Sequence, residues 1–269
     1  MYYLTNVKRH LRLLVLYFGQ YTKVRLAYKG DFFIAVFSSM TATVLGFGFV
    51  LVLFSKIPRL QDWSFYEVLF LYGFSLIPLG FFNILSWNLY EFGDLYIIQG
   101  RFDRILLRPV DTLFQVLFEK FRLESLQEVV TGVAVVTVCA KHLRIEWGPA
   151  DYFWFAVMII CGTVIYFAVF LLLTAVSFWF EDRVGIVPPI YNMLTFGRYP
   201  LTIYNLYIQF LLSWIIPFAF ASFYPVTHFL GREAFAPLFR LVPVVTVAFA
   251  ILARIVWDNG VRNYSSTGS

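Results

Sequence analysis

Uncharged runs alternate with short charged stretches along the chain, and six of the runs are long enough to cross a bilayer. A hydrocarbon core of about 30 Å needs about 20 apolar residues as a helix. Residues 31–54 carry no charge after Asp31, and residues 66–90 form a second run with Glu67 at its start. A third, 113–140, is charged in its first half by Glu119, Lys120, Arg122, Glu124 and Glu128. Glu119 with Arg122, and Lys120 with Glu124, have the i,i+3 and i,i+4 spacing of helical ion pairs. The pattern predicts one long helix that starts outside the membrane and keeps 126–140 within it. Residues 152–180 are a fourth span, 204–223 a fifth interrupted by Pro217, and 236–257 a sixth with Arg240 and Pro243 near its start.

Residues 1–29 have a different pattern. At about 100° per residue, Leu4, Val7, Leu11, Leu14, Val15, Phe18 and Tyr21 share one face, while Lys8, Arg9, Arg12 and Lys23 cluster on another. That predicts a helix in the membrane interface with its cations toward lipid phosphates. An amphipathic helix packed on protein has the same pattern.

Composition agrees with the pattern. Of 269 residues 60% are hydrophobic and only 14% charged, against about 25% in soluble domains. The expectation is an all-α integral membrane protein, one unit over 1–269 without a soluble domain. The net charge of +5 is spread between spans rather than gathered in one run, which points to topology and not to nucleic acid. Cys139 and Cys161 lie in apolar runs and read as small core residues, and His10, His142 and His228 are too scattered for a metal signature. Arg12, Gln20 and Lys23 break up the first apolar run, so no cleaved signal peptide is expected.

Charge orients the spans. With the N-terminus inside, only Lys56, Arg59, Lys141, Arg144, Arg232 and Arg240 of the 21 basic residues fall outside. Such an excess of inside cations predicts cytoplasmic termini and a multi-pass protein of the plasma (inner) membrane.

The chain lacks an engine. It has no Gly-Lys dipeptide and hence no Walker A loop, and neither HExxH nor GxSxG occurs. No catalytic residue, metal site or cofactor of its own is expected. A proton-coupled carrier would place carboxylates at mid-membrane. Glu119, Glu124 and Glu128 read instead as a salt-bridged helix start, with a proton relay as the alternative.

One charged stretch stands out: residues 100–117, GRFDRILLRPVDTLFQVL. Gly100 permits a turn and Pro109 stops a helix, leaving about two turns between them. Arg101, Arg104 and Arg108 fall on one face, and Phe102, Ile105 and Leu106 on the other. Asp103 sits near the helix start, where the dipole favours an acid. Thr112 and Gln115 have capping-box spacing for the next helix. A loop that only fixes topology needs scattered cations; a capped two-faced helix with a proline stop reads as a docking element for a cytoplasmic partner.

This stretch is similar to the G-x-L-D-x-x-L-L-R-P block of the membrane-spanning subunits of type-2 ABC exporters. The chain resembles in particular a branch long catalogued as a domain of unknown function. Three further stretches carry the likeness: WSFYEVLFLYG at 63–73, PFAFASFYPVTHFLGR at 217–232, and NYSSTGS at 263–269, close to an R-Y-S-S-x-G-S ending. Phe102 stands where the family often has leucine. The resemblance implies a coupling helix over about 101–108, comprising Arg101, Phe102, Asp103, Arg104, Ile105, Leu106 and Arg108 before Pro109, seated in a cleft of a separate ATPase. It implies that Lys8, Arg9, Arg12 and Lys23 belong to an interfacial elbow helix. Short re-entrant extracellular helices are implied around Pro217–Leu230. Two cytoplasmic ATPase subunits holding ATP and Mg are the implied partners, with a second membrane subunit, identical or homologous. The expected activity is export of a hydrophobic or amphiphilic compound such as a xenobiotic. An ion-coupled secondary carrier or a non-transporting scaffold are the alternatives.

Overall fold

A computed structural model describes residues 12–23, 28–180 and 186–265. Lys8 and Arg9 of the predicted elbow helix lie outside the described residues, as does the 266–269 end. The remainder of that helix, α1, spans 12–23. Its Phe18 and Tyr21 meet Phe121 edge-on at 5.3 and 6.0 Å, so this face packs on protein. Arg12, Lys23, Val15 and Leu16 are exposed.

Five helices are long and apolar enough to cross a membrane, and no strand occurs among the described residues. The first, α2 (Lys29–Lys56), leads to α3 (Phe65–Tyr90), which continues through a π-helical turn at Gly93–Ile98. Ser64 and Glu67 form the capping box that starts α3: Glu67 N donates to Ser64 Oγ, and Ser64 N donates to Glu67 Oε2 at 2.8 Å. Two short helices follow, α4 (Phe102–Leu106) and α5 (Thr112–Phe118), and then α6 (Leu126–His142). The fourth long helix is α7 (Pro149–Ala175), extended by α8 (Ser177–Phe180). After α9 (Val187–Met193) come α10 (Leu206–Phe210), α11 (Phe218–Ala221) and α12 (Phe223–Phe229), before the last long helix α13 (Ala236–Asn263). The bundle thus has a near end, holding Lys29, α4, α5 and Asn263, and a far end, holding Lys56, Trp63, His142 and Pro149.

The central pillar is α3, packed mainly on α6 and α7. Most of its apolar window is buried, whereas 11% of that of α2 is, which leaves α2 at the periphery. The α3–α6 contact is close because of a glycine: a Cβ on Gly132 would lie 2.6 Å from the Gly73 carbonyl oxygen. Small residues at such crossings let backbones approach where lipid offers no hydrophobic drive.

Two expectations are corrected. The predicted continuous helix over 113–140 is two helices, because α5 ends at Phe118 and the backbone turns before a 3₁₀ turn at Leu123–Ser125. The charged residues at the break pair sideways. Glu119 accepts from Tyr96 Oη, Lys120 meets Glu91 at 3.3 Å, Arg122 Nε lies 3.6 Å from Glu124, and Arg122 Cζ lies 4.1 Å from the centre of the Trp87 ring. The expected Glu119–Arg122 and Lys120–Glu124 pairs are therefore absent, since the helix that would align them is interrupted.

The fifth crossing is also displaced. Tyr191 Oη donates to Asn83, Arg198 Nη1 to the Tyr72 hydroxyl at 3.0 Å, and Trp63 Nε1 to Thr202 at 3.1 Å. Residues 187–203 therefore run from the near end to the far end alongside α3, as α9 and two 3₁₀ turns at Leu194–Arg198 and Leu201–Ile203. The predicted span at 204–223 is instead the descending arm and apex of a hairpin. Leu206–Ile215 and Phe218–Phe229 are bent against each other by 70°. At the apex, Phe218 packs on Tyr166 of α7 at 5.4 Å, roughly 25 Å along that helix from its far end. By Phe229 the chain is back at the far end, stacked on Trp147 at 5.4 Å. Irregular backbone at membrane depth requires its polar groups to be satisfied within the protein. Ser222 donates to the Gly197 carbonyl at 2.8 Å, Tyr204 Oη to Phe196, and Gln209 to Tyr204 at 2.7 Å.

Candidate functional site

The stretch singled out by its arginines lies at the near end. Gly100, at a φ of +68°, turns the chain out of the π-helical end of α3, in a conformation that glycine adopts without a Cβ clash. The helix that follows is α4, five residues long rather than the expected eight. Phe102 and Ile105 are buried, as a two-faced helix requires. Leu106 is not on that face: it is 43% exposed, and Leu107 is 85% exposed. The short helix rotates both outward beside Arg101, Arg104, Arg108 and Pro109, all exposed. Among the described residues none of these three arginines forms an ion pair.

The buried face is held by aromatic rings from three other helices. Phe102 meets Phe92 at the end of α3, Phe178 of α8, Trp257 of α13 and Tyr264 just beyond it, at centroid distances between 5.0 and 6.2 Å. Edge-to-face contacts of this kind contribute about 0.5–1.5 kcal/mol each beyond area burial. A phenylalanine where leucine is usual thus becomes the centre of a ring cluster.

Asp103 does not face outward. Its Oδ1 accepts from Tyr264 Oη at 3.0 Å. Burial and the bond to Asp103 push the Tyr264 phenol up to about 12. Two stretches that carry family likeness, 161 residues apart in the chain, meet at this bond. Tyr264 was visible in the sequence only as part of the C-terminal motif, without a role.

The cap of the next helix also differs from expectation. Asp111, not Thr112, is the N-cap of α5, and its Oδ1 accepts from Phe114 N at 2.9 Å. Asp-Thr is an N-cap signal in which either residue fits, and the turn after Pro109 places the acid first. Gln115 reaches back instead, donating to the carbonyls of Ile105 at 3.2 Å and Val110 at 2.8 Å. It thereby satisfies the C-terminal end of α4. From the last helix, Arg254 Nη2 lies 2.7 Å from Asp111 Oδ2, and Trp257 Nε1 donates to Thr112 at 3.2 Å. The short helix is therefore tied to α3, α5, α8 and α13, with a cationic and leucine-bearing face left open.

The carboxylates weighed as proton carriers are split by their surroundings. Glu119 and Glu124 sit at the near-end break described above. Glu128 is one turn further into α6, accepting from Asn83 at 2.9 Å and from Ser39 at 3.4 Å. Among the described residues, no group of three His, Cys, Asp or Glu side chains is arranged to hold a metal. Cys139 and Cys161 are buried free thiols.

None of the curated proteins or solved structures compared with this chain matches it. A family model does, over residues 39–268, from the middle of α2 to the C-terminal motif. That range includes the short helix, its aromatic anchor and the hairpin. The protein is accordingly a multi-pass membrane component of a transporter. The chain belongs to the ABC-2 family of transporter proteins.

Proposed function

We propose that this chain is the permease subunit of an ATP-driven exporter, and that α4 with the residues around it is its coupling helix. The observation that carries this reading is an exposed basic knob whose root is clamped to three membrane-crossing helices. A push on such a knob is transmitted to the bundle, whereas a floppy basic loop would absorb it. Arg101, Arg104 and Arg108 with Leu107 form a face suited to a cleft with acidic walls and an apolar floor. The partner is a pair of cytoplasmic ATPase subunits, which supply ATP and Mg. A second membrane subunit, identical or homologous, completes the pore. In this reading the near end is cytoplasmic, both termini lie there, and residues 1–29 form an elbow helix at the lipid surface. The hairpin of Leu206–Phe229 enters from the extracellular side. The cargo is a hydrophobic or amphiphilic compound, xenobiotics included.

The test is charge reversal on the open face alone, Arg104→Glu with Arg108→Glu, since Asp103 is engaged with Tyr264. Co-purification of the ATPase and ATP-driven transport in vesicles should both be lost, with the permease still folded. Retention of both would remove the docking role.

A further inference from the structure

Between α2, α3, the start of α6 and the irregular crossing lies a cavity of about 670 Å³. One wall is a stripe of α2, a helix otherwise turned to lipid. Ala35, Ser38, Ser39 and Ala42 recur at helical spacing and leave room there, while Phe37 on the same helix is 74% exposed to the surroundings. The opposite walls carry charge. Asp31 lies at the near-end mouth, then Arg122 beside Trp87, then Glu128, then Arg198 toward the far end. Contacts along α3 set this order. Arg122 stacks on Trp87, Glu128 bonds Asn83 one turn away, and Arg198 bonds Tyr72 three turns further, a spread of roughly 20 Å.

The signs alternate along the path, and among the described residues Glu128 and Arg198 form no direct ion pair with each other. Among the described residues Glu128 accepts only from the amide of Asn83 and the hydroxyl of Ser39. Arg198 donates to a tyrosine hydroxyl, its Nε is buried without a hydrogen-bond partner, and among the described residues no carboxylate pairs with it. Charged side chains at membrane depth are costly, face cavities and mark the route of a polar cargo. A cargo of a single sign gains at one rung of this ladder and is repelled at the next. A cargo with both signs gains at both. We propose that this chamber binds a zwitterionic amphiphile, whose ammonium group sits on Glu128 and whose phosphate or carboxylate reaches Arg198 or Arg122. Its apolar tail leaves past the small-residue stripe of α2 into the bilayer. The inference deepens the transport reading by naming its substrate class.

The test is binding to the full chain in nanodiscs without nucleotide or ATPase, with empty nanodiscs subtracted. Failure here is thus separate from failure of ATPase docking. The probes are dodecylphosphocholine, dodecyl phosphate, dodecyltrimethylammonium and free phosphocholine. The zwitterionic amphiphile should bind at least tenfold more tightly than either singly charged one. Glu128→Gln and Arg198→Gln should each erase that preference, and Glu128→Gln should favour dodecyl phosphate. Ser38→Leu, which fills the chamber from the outer helix without touching a charge, should weaken all three amphiphiles. Equal binding of the three by the unmodified chain, or unchanged selectivity in both charge variants, overturns the proposal. Equal affinity for free phosphocholine overturns the lipid-like source of the zwitterion.

Discussion

Tyr264 follows the last helix and bonds Asp103 on the short helix between α3 and α5. Tyr264→Phe keeps the ring against Phe102 and removes only the hydrogen bond, a loss of about 1 kcal/mol. The expected outcome is a folded permease that still binds its ATPase but wastes hydrolysis, read as a fall in transported molecules per ATP. The phenol's raised pKa gives the pH dependence its sign. A group whose folded pKa lies above its unfolded value contributes stability below the unfolded value and loses it on passing the folded one. The contact is thus intact below about pH 10 and released between there and about 12. Difference absorbance of tyrosinate, compared with Tyr264→Phe, should show one late-titrating phenol. The arginine face, the buried Phe102 and Ile105, and the proline stop were legible in the sequence, because local spacing determines them. Asp103's partner was not, since no local rule links positions 103 and 264.

At the scale of elements, the close crossing of α3 and α6 sets how the pillar packs. A side chain at Gly132 meets backbone, which cannot rotate away as a flexible side chain would. Gly132→Leu should therefore lower the thermal unfolding midpoint in detergent severely, by the equivalent of about 3 kcal/mol or more. Gly48, on the outer face of α2, has open space around it, and Gly48→Leu should leave the midpoint near that of the unmodified chain. Gln115→Leu should loosen α4 without disturbing the spans, since it strands the Val110 carbonyl and removes one of the two donors to that of Ile105. Faster hydrogen exchange confined to 100–110 would register that loosening. The break at 119–122 misled a reading by periodicity because its charges have helical spacing. The structure spends them on Tyr96, Glu91 and Trp87, partners offered by α3 and unknown to the local pattern.

For the whole molecule, the route of the chain after α9 decides the topology. If 187–203 crosses and 206–229 is a hairpin, single cysteines at Leu206 and Leu230 should label from the same side as one at Leu60. A cysteine at Phe180 should label from the opposite side. A span at 204–223 instead predicts that 206 and 230 label from opposite sides. The two native thiols are buried, so the background is low and Cys139 and Cys161 can be replaced by alanine. The same geometry explains why the hairpin tolerates Pro217 and Pro225: the surrounding rings of Tyr166, Phe170, Trp147 and Phe155 enclose it.

By itself, the amino-acid sequence determined the class of protein, the long apolar helices and their order, and the place of the basic helix. These follow from short-range causes: hydropathy sets which stretches enter lipid, and helical periodicity sets which faces turn inward. Tertiary structure decided the rest. The fifth crossing is an irregular segment whose mean hydropathy is no guide, because backbone carbonyls left free by its turns are satisfied by Ser222 and Tyr204 from elsewhere. The anchoring of the short basic helix by Trp257 and Tyr264, and the charge ladder of Asp31, Arg122, Glu128 and Arg198, join residues up to 167 positions apart. Only the packing of helices in a closed bundle brings such groups within reach.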